Sequence, residues 1–234
     1  MTTPDRLPKL VRSYLERVLP KGANVPAQLR ITQRGKMHMK PGGRATRFTA
    51  TERFAVDRVA FVWVARFPIL PAVSLKVLDS YANGVGTLRV RALGMPVQTR
   101  AGPEMAVSEA YRYLAELPWV PHAMLTNEHL HWRDVDDRHV EVTTRVADEQ
   151  PTVRLDFDAA GDIVRSSADG RPRDTGGTLR PTRWGGDFSD YVTLGGIRMP
   201  AAGEVYWDLP AGRFVYWRAR ITSVAGTNRP FEPG

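Results

Sequence analysis

One helical stretch near the middle of this chain constrains its fold more than any other feature. Arg112-Tyr113-Leu114-Ala115-Glu116-Leu117-Pro118-Trp119-Val120-Pro121 closes one of only two convincing helical patterns in a sequence that otherwise reads as strand after strand. About five strands precede it and about six follow. A lone amphipathic helix inside a long β meander packs on, or plugs, a curved sheet. The expected architecture is therefore mainly β (α+β): a strongly curved antiparallel sheet or open half-barrel of about eleven strands, with an N-terminal and a central helix on its concave face.

The periodicity divides the chain as one domain over 1–234. Residues 1–24 hold the first helix, with Leu7, Leu10, Val11, Tyr14, Leu15, Val18 and Leu19 at helical spacing before Pro20 and Gly22. Residues 25–102 form a first β meander, with a hairpin at Asn83-Gly84. Residues 103–126 are the central helical segment, entered at Pro103-Glu104 and followed by a short helical turn around His122–Leu125. Residues 127–225 form a second meander, and 226–234 a loop-like tail. The run Val59 to Ala65 is apolar on both faces, so both faces of that strand need cover.

Composition limits the chemistry. The chain has no cysteine, which excludes disulfides, thiolate metal sites and cysteine nucleophiles. No apolar core follows the charges at the N-terminus, so a secretory leader is not expected and a cytoplasmic protein is. The net charge is +8, carried by 28 arginines against 5 lysines. These arginines are scattered over nearly every strand, and a solvated basic exterior explains them more simply than a nucleic-acid face. An anionic membrane surface is a further partner that the charge allows. No G-x-S-x-G, P-loop, G-x-G-x-x-G or H-E-x-x-H motif occurs, which leaves hydrolase, nucleotide and dinucleotide chemistry without support.

The helix segment, together with Asp79-Ser80-Tyr81-Ala82-Asn83-Gly84-Val85-Gly86 and Gly195-Gly196-Ile197-Arg198-Met199-Pro200, resembles an uncharacterised bacterial family catalogued as a domain of unknown function. The resemblance spans roughly residues 25 to 224, carries the core R-Y-L-A-E-x-x-W-x-P, and implies no activity. The order of elements is similar to the half-barrels of lipoprotein carriers and mycobacterial lipid-binding lipoproteins, which implies an apolar cavity between sheet and helix. The chain departs from them in having no lipobox cysteine.

The leading expectation is binding of a lipophilic or amphipathic small molecule. Tyr113, Trp63, Trp119, Trp132, Trp207 and Trp217 are candidates to line its site. Arg112 is the candidate anchor for an acidic head group, with Glu109 or Glu116 holding its guanidinium. The plain alternative for Arg112 and Glu116 is an ion pair on a solvated helix face. A second function class is an enzyme acting on such a ligand, with Glu116, Asp79 or the histidines in acid–base roles. A third is a basic module for nucleic acid or anionic membrane. His129 and His131, with His122 nearby, supply too few ligands for a metal site, and no cofactor is expected.

Overall fold

The computed structural model describes residues 7–22, 24–70 and 73–233. The helical segment expected over 1–24 and the strand expected from Ala72 both extend into residues outside this set.

The chain enters through helix α1 (Lys9–Val18), which buries Val11, Tyr14, Leu15 and Val18. A meander follows: β1 (Gln28–His38), β2 (Ala45–Ala55), β3 (Phe61–Leu70), β4 (Val73–Ala82), β5 (Val85–Ala92) and β6 (Met95–Ala101). Then come α2 (Pro103–Ala115), a 3-10 turn (Leu117–Trp119) and α3 (Pro121–Thr126). The second meander is β7 (His131–Asp136), β8 (His139–Thr143), β9 (Thr152–Phe157), β10 (Ile163–Asp174), β11 (Leu179–Leu194), β12 (Ile197–Leu209) and β13 (Gly212–Thr227). The β4–β5 turn needs left-handed backbone, and Asn83 and Gly84 supply it at φ 53° and 76°.

The thirteen strands of the described residues belong to one antiparallel sheet in the order β6-β5-β4-β3-β2-β1-β13-β12-β11-β10-β9-β8-β7. This corrects the expected half-barrel of about eleven strands. The sheet is open, with β6 and β7 as its edges and no ladder between them among the described residues. The β1–β13 pairing joins the two meanders side by side, and consecutive hairpins extend each flank outward instead of closing a barrel. β6 escaped the sequence reading because every residue of it is exposed. An edge strand with no buried face shows no alternation.

The helices lie on one face of the sheet, the inner face. There α2 touches β4, β5 and β6 on one flank and β9, β10 and β11 on the other. Gly86 of β5 permits the close approach, since a Cβ there would stand 2.7 Å from the Met105 carbonyl oxygen. The core between helices and sheet includes Tyr14, Phe54, Phe61, Tyr113, Leu114, Trp119 and Leu155. On the outer face a small second cluster explains the two-sided apolar run of β3. The chain returns after β13 to lay Phe231 over Ala55, Ala60, Val62 and Ala82. Gln28 Nε2 holds this return by donating to the carbonyls of Arg229 and Pro230.

Candidate functional site

Two of the three stretches singled out in the sequence meet at α2, and the third, residues 195–200, meets the 3-10 turn that follows it through Trp119. Arg112 leaves the helix towards the sheet and donates from Nε to Glu116 (3.0 Å), from Nη1 to Asp79 on β4 (2.6 Å) and from Nη2 to Glu52 on β2 (2.7 Å). Its guanidinium carbon lies 4.7 Å from the Phe61 ring centre and 5.2 Å from that of Trp63. Trp63 Nε1 donates to Gln33, and Gln33 donates in turn to Glu52, so the cluster is wired into β1, β2 and β3. Period-two alternation puts Gln33, Glu52, Trp63 and Asp79 on the inner face, where α2 covers them. The helix face that reads as polar is therefore turned inward.

A second arginine answers the first across the helix. Arg171 of β10 is buried, donates to the Ser108 hydroxyl (3.2 Å) and approaches Glu109 Oε1 at 3.8 Å. Its guanidinium stacks 4.1 Å from Trp184 and 5.7 Å from Trp207. Trp184 Nε1 donates to the Tyr216 hydroxyl (3.0 Å). A bulge in β13 places Tyr216 beside Trp207 while the next residue, Trp217, packs on Trp119 and Phe48.

Four carboxylates thus share two guanidiniums, and burial sets their proton affinity. Desolvation, reinforced by Glu116, holds Glu52 well above the usual carboxylate range despite Arg112. Asp79 is raised by burial against the pull of Arg112 and Arg171. Burial and the nearby Asp79 push Glu109 up to about 8. For Arg112, burial opposes the charge, but Glu116, Glu52 and Asp79 outweigh it and raise its pKa further. Asp79 Oδ1, Glu109 Oε2 and Glu116 Oε2 are buried with no hydrogen-bond donor among the described residues.

The remaining candidates fall into separate places. Trp119 and Trp217 pack together with ring centres 5.9 Å apart, and Trp119 Nε1 donates to the Pro200 carbonyl. Tyr113 points to the other side of α2, donating to the Ala55 carbonyl and accepting from Asn127. Trp207 belongs to the Arg171 group, while Trp132 sits half-buried on edge strand β7. His122 is buried, its Nδ1 has no hydrogen-bond partner among the described residues, and burial lowers its pKa to about 4. His129 and His131 are exposed, and His129 precedes β7. Glu52, Gln33 and Arg171 were not singled out in the sequence. Glu52 carries the one available signal, a carboxylate at an inward position of an alternating strand.

A groove of about 450 Å3 lies on the opposite, outer face, across β1, β13, β12 and β11. Arg34, Lys36, Arg218 and Arg220 line it with Asp187 and Glu204, and it does not reach Arg112.

An open antiparallel sheet carrying a helix on one face is a fold with solved counterparts. A domain from Vibrio parahaemolyticus named for outer membrane lipoprotein sorting superposes with TM-score 0.53 at 10% identity, covering 96% of this chain and 93% of that one. A LolA superfamily protein from Nitrosomonas europaea gives 0.49 at 11% identity over 98% and 96% of the two chains. A DUF1329 family protein from Desulfovibrio piger gives 0.48 at 11% identity over 93% and 90%. No curated protein matches the chain. The family of unknown function DUF6544 matches residues 2–219, and the chain belongs to it. The cytoplasmic placement expected from the sequence is corrected here. The fold is shared with a domain named for outer membrane lipoprotein sorting, and gives no ground for the cytoplasm.

Proposed function

We propose that the protein binds a lipophilic or amphipathic small molecule between α2 and the inner face of the sheet. Half-buried Met37, Leu75, Val77, Val205, Trp207 and Tyr216 offer its chain an apolar wall, with Trp63 and Trp217 deeper in. The Arg112 cluster receives its head group. The observation that carries this reading is the set of buried acceptors without donors, Asp79 Oδ1 and Glu116 Oε2 above all. Each unmet buried oxygen costs about 1–3 kcal/mol. A hydroxyl or ammonium head group supplies the missing donors, which an ionised acid lacks. The role of Arg112 is then to gather the carboxylates rather than to grip an acid.

Native mass spectrometry with a medium-chain alcohol, amine and carboxylic acid of equal length tests this. The alcohol and the amine bind more tightly than the acid, and the double variant Asp79→Asn, Glu116→Gln narrows that preference about tenfold. Absence of chain-length-dependent binding by all three compounds rules the reading out.

A second reading, an enzyme acting on such a ligand, is favoured by Glu109, whose pKa of about 8 suits proton transfer near neutrality. Glu109→Gln separates the two: a binding protein keeps its ligand and loses nothing else, whereas an enzyme keeps binding and loses turnover.

A further inference from the structure

The outer face of the first meander has a charge pattern that the ligand site does not explain. Residues 24–103 contain 13 Lys and Arg but only 3 acidic residues. Of those three, Glu52 and Asp79 point inward at Arg112, and Asp57 pairs with its neighbour Arg58. No acid of this meander is left to balance the outer face of β1–β6; Asp187 and Glu204 reach only the groove at β1.

Strand register gathers those cations into rows. Arg34 faces Arg220, Lys36 faces Arg47, and Lys76 stands between Arg66 and Arg91. All are exposed, and apart from Arg220 none has an ion-pair partner among the described residues. Like charges directly opposite each other on neighbouring strands destabilise a sheet. Solubility alone is served by interspersed signs, as on the other flank, where Arg165 pairs with Asp187, Arg213 with Asp208 and Arg198 with Asp162. An uncompensated basic face therefore points to an anionic partner outside the molecule.

The hairpin tips narrow the class of partner. The β1–β2 and β5–β6 turns and the end of β3 all lie at one end of the sheet, and each carries bare apolar side chains. Met39 is 79% exposed, Leu70 64%, Leu93 76% and Met95 70%. Lys40 and Arg44 flank Met39 in the first turn. Apolar tips standing in water above a basic collar match the two layers of an anionic bilayer surface: headgroup charge outside and acyl chain beneath. A nucleic acid would meet the same cations but offers nothing to aliphatic tips. We propose that this protein docks on an anionic lipid bilayer through Met39, Leu70, Leu93 and Met95, with the basic outer face of β1–β5 against the headgroups. The inference is independent of the ligand reading.

The test is sedimentation with phosphatidylcholine vesicles, with and without about one-third phosphatidylglycerol, at low salt. Binding is expected only to the anionic vesicles and weakens in high salt. The triple variant Lys36→Gln, Arg66→Gln, Lys76→Gln, all exposed positions, lowers it about 100-fold. Because the chain has no cysteine, Leu93→Cys accepts a single environment-sensitive dye, whose emission shifts to the blue on anionic vesicles. Equal binding to neutral vesicles, an unmoved dye while protein is bound, or binding to duplex DNA but not to vesicles would each overturn the proposal.

Discussion

Arg112 of α2 and Arg171 of β10 are the two guanidiniums packed between this helix and the sheet, yet they are held in different ways. Arg112 spends its Nε and both Nη groups on three carboxylates from three elements. Arg171 makes one hydrogen bond to a hydroxyl, keeps a carboxylate at 3.8 Å and rests on indole faces. The first is a junction that ties β2, β4 and α2 together. The second is a buried cation stabilised largely by ring faces, beside a glutamate ready to hold a proton. One helix thus carries a tight node and a loose one, and the loose node has room to respond to pH.

The sharpest way to break this contrast is Arg112→Met. Removing the guanidinium strands three buried carboxylates together, and urea unfolding is expected to show a loss of about 3–5 kcal/mol. Arg171→Met costs less, about 1–3 kcal/mol, because protonation of Glu109 absorbs the missing charge. Equal losses from the two variants would erase the distinction.

The smallest expected effect is in Glu109→Gln, and it depends on pH. Folding raises this carboxyl from its ordinary 4.5 to about 8, so the folded state holds the proton more tightly. That contribution is complete below about pH 4.5 and is lost as pH rises through about 8. The wild type should lose stability across this window. The variant, which cannot ionise, should lose less, by about 1–2 kcal/mol. Unfolding midpoints at pH 5 and pH 9 measure the difference, and parallel slopes would place the proton elsewhere in the cluster.

Much of the secondary structure is legible because its signals are local. Helical spacing from Leu7 to Leu19, Asn83-Gly84 and the two-sided run of β3 each report on neighbours a few residues away. The overall shape was not legible. Alternation tells which side chains share a face, but not whether the edges of a sheet meet, so the half-barrel was over-read. In the site, Arg112 with Glu116 follows from helix geometry at i, i+4. Glu52, Asp79 and Arg171 reach the same helix from strands far apart in sequence, and only the register brings them together. The same holds on the outer face, where arginines that look scattered along the chain line up once β1 to β5 are paired.

Among the described residues, eleven of the twelve strand pairings join consecutive strands, and a single one, β1 with β13, does not. Thr32 and Thr222, hydrogen-bonded across that seam, are 190 residues apart in sequence. Each meander can assemble from hairpins that close in microseconds, whereas the seam must wait for two ends of a long chain to find each other. Refolding should therefore show fast strand formation followed by a slower, seam-limited step. Until that step is complete, β1 and β13 are both unpaired edges, and association between chains competes with folding at that point.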